Sequence, residues 1–215
     1  MKTKLVLALL TLMALRASAT SPNVLSASWT GNQLVPDNNA SGVAFTFNLT
    51  APTFSVITDV TVDLNLAGGW DGDIYAYLSH GSGFSVLLNR VGRTAGNSGG
   101  LASAGFNVQL SDSYLTDIHN ATGNPLTGNY APDGRNISPF NAVDTSPRNA
   151  LLGSFNNLNP DGTWTLFFAD VSPLAVSSVQ SWTVSMNIIP TPEPGSLTLL
   201  GLAAGLGFVM RRKSR

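Results

Sequence analysis

The stretch Val60-Thr-Val-Asp-Leu-Asn-Leu-Ala-Gly-Gly-Trp-Asp-Gly-Asp-Ile-Tyr-Ala-Tyr-Leu78 decides how the chain folds. Val60, Val62, Leu64 and Leu66 alternate with Thr61, Asp63 and Asn65, the period of two that turns one face of a strand into a core. Gly68, Gly69, Asp71 and Gly72 break the alternation, and Ile74, Ala76 and Leu78 resume it against Tyr75 and Tyr77. A second break at Gly81 and Gly83 precedes the apolar Val86 to Leu88, so three antiparallel strands joined by loops is the simplest reading. Asp161 to Asp170 repeats the style, with Trp164, Leu166 and Phe168 facing one way and a Trp again beside an Asp-Gly turn.

Working outward, Val43, Phe45, Phe47 and Leu49 mark a half-buried strand that Ala51-Pro52 ends, and the pattern slips at Val56-Ile57 as at a bulge. One short edge strand is expected around Leu25 to Trp29. At the far end Trp182, Val184, Met186 and Ile188 alternate with Thr183, Ser185 and Asn187. Between Arg90 and Asn159 the chain turns loop-like. That is too long for one structureless connection, so residues 92–159 read as an insertion holding short strands and ordered turns. Six to nine short strands without helical periodicity predict an all-β, antiparallel sandwich over residues 20–189.

The two ends differ from this body. Residues 1–19 read as a signal peptide: Lys2 and Lys4, an apolar run from Leu5 to Leu15, and a small-residue cleavage site at Ala17-Ser18-Ala19. Beyond Ile189 come Pro192-Glu193-Pro194, an uncharged run from 197 to 210, and a basic end at 211–215. As a helix those 14 residues would reach about 21 Å against a hydrocarbon core of about 30 Å. By length alone this is a marginal membrane anchor, and the basic end orients it with the C-terminus inside.

Charge narrows the partners. Between Thr20 and Pro190 the chain carries four Arg, no Lys, eleven Asp and no Glu, a net charge of −7. Such a surface repels phosphate backbones, which argues against nucleic acid. Cysteine is absent, so disulfides, thiolate metal sites and a cysteine nucleophile are excluded.

The order Pro192-Glu193-Pro194, Gly-rich apolar run, Arg-Arg-Lys resembles the PEP-CTERM sorting tail of bacterial surface proteins. That resemblance implies processing by a membrane exosortase after signal peptidase has removed the N-terminal segment. It implies an exported protein of the cell envelope, cell surface or extracellular matrix, held in the membrane transiently or permanently by its C-terminal run. A second resemblance rests on Leu64, Trp70-Asp71-Gly72-Asp73-Ile74, Tyr77-Leu78, Val86-Leu87-Leu88, Gly162-Thr163-Trp164-Thr165-Leu166, Ala169-Asp170 and Ser181-Trp182. These are similar to the P-domain, or P/Homo B module, that follows the catalytic domain of kexin-like and furin-like proprotein convertases. It implies a jelly-roll-like β-sandwich, flanked here by the signal helix and the short C-terminal helix. No subtilisin-like catalytic domain accompanies it in this sequence.

Three groups of residues invite chemistry. Asp71-Gly72-Asp73, joined by Asp170 or Asp161 if these lie at the same end of the sandwich, has the oxygen ligands that calcium prefers, though an ordinary Asp-Gly turn accounts for the same letters. Tyr75 and Tyr77 lie on the polar phase of their strand and are candidate platforms for sugar rings, whereas the tryptophans mostly fall on core phases. His80 and His119 are the only histidines. With so many Ser and Asp a nominal triad can always be written, and no metal spacing joins the two histidines.

The sequence therefore predicts a non-catalytic exported surface or matrix protein that binds or scaffolds, with calcium as its one expected cofactor. The alternatives are a lectin-like module that binds exopolysaccharide and a P-domain that acts with a separate subtilisin-like serine endopeptidase.

Overall fold

The computed structural model describes residues 23–190, which form a two-sheet β-sandwich. Nine strands follow in chain order: β1 (Asn23–Leu34), β2 (Asn39–Leu49), β3 (Ser55–Gly68), β4 (Ile74–His80), β5 (Gly83–Asn89), β6 (Phe106–Ser111), β7 (Leu126–Tyr130), β8 (Gly162–Asp170) and β9 (Ser177–Pro190). One sheet has the order β1-β9-β3-β6-β7 and the other β2-β8-β4-β5. With β7 set aside, the remaining eight strands interleave across the two sheets as in a jelly roll. The signal segment and the sorting tail lie outside the described residues, apart from Pro190.

The core follows from the alternation in β3, where Val60, Val62, Leu64 and Leu66 are buried and the residues between them are not. They meet Ile74, Ala76 and Leu78 of β4, Trp164, Leu166 and Phe168 of β8, and Trp182, Val184, Met186 and Ile188 of β9 in one apolar cluster. The bulge expected before Val60 is present. Ile57 pairs with Ile188 and Asp59 with Asn187, which leaves Thr58 over, and its hydroxyl donates to the Asn187 carbonyl at 3.1 Å.

The structure corrects the sequence reading in several places. β3 does not form a meander with β4 and β5. It is the middle strand of its sheet and both of its edges are taken, by β9 and β6, so the chain must cross to the other sheet to begin β4. The sandwich is not wholly antiparallel, because β6 and β7 run parallel, from Phe106↔Leu126 to Leu110↔Tyr130. The expected short edge strand is the 12-residue β1, paired along its length with β9. The segment 92–159 holds short strands and ordered turns, as expected. It supplies β6 and β7, and beyond them Asp133, Gly134 and Ala150 make backbone hydrogen bonds along the open side of β5, closing an edge that would otherwise invite pairing with another chain.

Candidate functional site

The crossing from β3 to β4 builds the site. Gly68 and Gly69 take left-handed conformations (φ 68° and 65°), and at Gly69 a Cβ would fall 1.8 Å from the Ser177 hydroxyl; only glycine fits. A single 3-10 turn over Asp71–Asp73 follows, closed by the Asp73 N–H donating to the Trp70 carbonyl at 3.0 Å. Both aspartates are buried, at 1% exposure each, yet their carboxylates serve different loops. Asp71 accepts from the Ser103 hydroxyl and the Gly105 N–H, and burial pushes its carboxyl up to about 7 against those two bonds. Asp73 faces the other way. Burial raises it too, opposed by a hydrogen bond from the Ser172 side chain and by Arg90, whose Nη2 lies 3.7 Å from Oδ1.

Asp170 ends β8 opposite Ile74. Its Oδ1 accepts from the Ser172 N–H at 3.2 Å, and its exposure is 0%. Burial, then the charges of Asp73 and Asp37, push it up to about 6 against hydrogen bonds from the Ser172 and Asn38 backbones. The Oδ2 atoms of Asp71, Asp73 and Asp170 are all buried without a hydrogen-bond partner, which such groups rarely tolerate. The trio expected from the sequence is thus divided. Asp73 and Asp170 come together, Asp71 turns toward the Ser103 loop, and Asp161 stands at the opposite end of β8, accepting from the Ala51 N–H at 2.5 Å. The charge of Asp37, in the turn between β1 and β2, also acts on the pair and raises both carboxyls. Among the described residues no three Asp, Glu or His side chains form a ready-made metal-binding group.

Tyr75 and Tyr77 lie half-buried on the outer face of the four-stranded sheet. Tyr77 stacks on Phe167 (4.8 Å, 20°) and contacts Phe84 at 5.3 Å, and Tyr75 lies 6.1 Å from Tyr77. Burial, then the neighbouring Tyr77 and Asp133, push the Tyr75 phenol up to about 12. Of the tryptophans, Trp164 and Trp182 are core and Trp70 is 44% exposed.

Sequence reasoning missed a buried charged network in the segment after β6. Asp117, His119, Asp133 and Arg135 are all buried there. His119 Nδ1 meets Asp133 Oδ2 at 2.7 Å, while Arg135 bridges Asp133 at 3.3 Å and Asp117 at 2.9 Å. Arg135 also donates to the Val143 and Asp144 carbonyls. The only sign in the sequence was the placing of two of the body's four arginines there. His119 lines a cavity of about 330 Å³ with Thr94, Asn97, Asn120 and Thr122. Its Nε2 faces the Arg93 carbonyl at 2.7 Å, however, and is not free to take a proton from a nucleophile as a triad requires. Gly96-Asn97-Ser98-Gly99-Gly100 has the letters of a nucleophile elbow but lies in a loop with neither strand before it nor helix after it. His80 is engaged as well, between the Thr163 and Asn159 carbonyls at 2.9 and 2.8 Å, its ring stacked on Trp164.

The fold is therefore an all-β sandwich with a buried acidic pair at one end and an aromatic strip on one outer face. Residues 190–213 match the PEP-CTERM protein-sorting motif, so the chain carries the signal of an exported, exosortase-processed protein of the cell envelope or surface. Pro192, Glu193 and Pro194 fall within that match; like the cleavage-site residues Ala17 and Ala19 they lie outside the described residues. No curated protein matches the chain. Among solved structures it is similar to a chain in the crystal structure of the Aeromonas sobria serine protease in complex with the chaperone ORF2, at 14% identity and a TM-score of 0.41, over 80% of this chain and 28% of that one. Among the described residues no helix is long and apolar enough to cross a membrane.

Proposed function

We propose that the protein is a non-catalytic binding or scaffold module that an exosortase releases to the cell surface or extracellular matrix. The sorting motif at residues 190–213 carries this reading, because it begins where β9 ends, at Pro190, so the domain and its sorting signal adjoin directly. The engagement of both histidines with carbonyl or carboxylate oxygens supports the absence of a histidine acid–base catalyst. Isolation of the protein from its native surface, followed by assays for hydrolysis of peptide, ester and glycoside substrates, tests the reading. A turnover that survives purification and disappears on substitution of Ser98 or His119 would overturn it.

A second reading, an exopolysaccharide-binding module, is favoured by the strip of Tyr75, Tyr77, Phe84 and Phe167, since stacked aromatic faces suit the apolar faces of sugar rings. Loss of glycan-array binding in the Tyr75→Ala, Tyr77→Ala double variant would support it, and unchanged binding would remove it. The P-domain assignment, with action beside a separate subtilisin-like endopeptidase, rests on the sequence resemblance. A change in such a protease's activity on adding the protein is its test.

A further inference from the structure

Each sheet of the sandwich has two edges, and the chain protects only one side. The β5 edge is closed by the backbone of Asp133, Gly134 and Ala150, and β7, at the end of the other sheet, is only five residues long, one of the ways a protein limits pairing at an edge. The remaining edges are β1 and β2, of 12 and 11 residues. They lie over one another, with the rings of Trp29 and Phe45 4.8 Å apart, and among the described residues no backbone pairs with their outer sides. Their bulges sit toward the Asp37 turn. The ladder is regular from Asn23 to Thr30 and from Val43 to Leu49, about 25 Å of open edge in each sheet. Leu25, Ala27 and Trp29 of β1 and Val43, Phe45 and Phe47 of β2 pack on the core yet stay half-buried, so the apolar interior reaches the surface along this side. Neither strand has the lysine, proline or inward-pointing charge that usually guards such an edge.

We propose that a second copy of this chain covers β1 and β2, edge to edge, so that both sheets continue across a twofold axis. A single extended peptide would fill one edge and leave the other open. The occupant must offer two strands held about 10 Å apart, the spacing of packed sheets. An identical domain turned about an axis normal to the sheets does so, setting β1 antiparallel to its own copy in one layer and β2 in the other. Leu25, Ala27 and Trp29 then meet the same residues of the second copy, as an isologous interface requires, and the half-buried side becomes continuous core. Charge points the same way. The net −7 of the body drives copies apart over most of its surface, but from Asn23 to Leu49 the only charged residue is Asp37, in the turn between the strands. This inference adds an assembly to the surface-module reading and does not depend on it.

The experiment is analytical ultracentrifugation of the full chain, exported to a periplasm and purified, from micromolar to submillimolar concentration. A dimer should form as the concentration rises. Ser28→Lys combined with Thr46→Lys alters two exposed positions, one on each edge. It should keep the circular dichroism of the folded domain and weaken dimerisation by at least about tenfold, because like charges then face each other across the axis. The chain has no cysteine, so single replacements report on neighbours directly. Ser26→Cys or Ser28→Cys, near the middle of the regular stretch of β1, should give a disulfide-linked dimer on mild oxidation, and Thr127→Cys on β7 should not. A monomer at every concentration would overturn the proposal. So would a dimer that the two lysines leave undiminished, as one held by the apolar tail would be, or cross-linking through Thr127 in place of β1.

Discussion

His119 and Asp133 meet at 2.7 Å inside the domain, each with 0% exposure, while the other ring nitrogen of His119 faces the Arg93 carbonyl. Two acceptors on one ring favour its imidazolium form. Burial opposes that charge, but the Asp133 hydrogen bond and charge, helped by the Arg93 carbonyl, outweigh it and raise the pKa above the ordinary value of 6.5.

Because the folded pKa is raised, this pair's contribution to stability is complete below about pH 6.5 and is lost as pH rises through the higher folded value. Urea unfolding at pH 6 and pH 9 should therefore give a lower midpoint at pH 9. His119→Gln should be destabilised by about 3 kcal/mol at pH 6, since it leaves the buried carboxylate with Arg135 as its one charged partner, beside the Asn89 N–H, and should narrow the difference between the two pH values. A variant that keeps the full difference would assign the pH dependence to other groups.

Arg135 reaches two carboxylates and three carbonyls at once, a fork that lysine cannot reproduce. Arg135→Lys should cost about 2 kcal/mol or more, and urea denaturation of the variant would measure it. A loss under about 0.5 kcal/mol, the range of ordinary surface substitutions, would mean that the network contributes little.

Gly42 and Gly81 both have positive φ, 49° and 55°, but a Cβ at Gly42 would lie 2.0 Å from the Phe168 carbonyl oxygen and one at Gly81 would meet nothing within 4 Å. Gly81→Ala should cost about 1 kcal/mol from the backbone conformation alone, and Gly42→Ala clearly more, because β2 must move away from β8. Melting temperatures that fell equally would contradict the packing seen at the β2 bulge.

The sorting tail gives a prediction about the protein in its native cell. The mature form should lack the apolar run 197–210 and the basic end, and substituting Pro192-Glu193-Pro194 by alanines should retain both. An intact mass of the surface protein reads this directly; a full-length C-terminus in the wild type would contradict exosortase processing.

Wherever a strand has one wet face and one dry face, the sequence displayed it. The alternations of β3, β4, β8 and β9 were legible for that reason, and so was the slip that became the Thr58 bulge. Which strands neighbour one another was not. The crossing after Gly69 is forced by both edges of β3 being occupied by strands far away in sequence, and no local pattern around Gly68 to Asp73 reports that. β7 was invisible because Thr127, Gly128 and Asn129 are exposed, so it pairs with β6 through its backbone and shows no apolar period. At the acidic end the sequence offered Asp71 and Asp73 as equals, but a 3-10 turn sends successive side chains in different directions. Asp37, among Asn and Pro, looked like any other turn residue.

The antiparallel pairing of β1 with β9 also determines how the domain is presented. Asn23 lies opposite Ile188 and Leu34 opposite Ser178, so the first and last strands of the body begin and finish side by side, at the extremity from which the sorting tail departs. Asp37 follows the far tip of β1, and Ser172 precedes the far tip of β9. A strand of 12 residues puts roughly 40 Å between the two tips. Whatever grips the tail therefore takes hold at the end of the sandwich opposite the one that carries Asp37, Asp73 and Asp170.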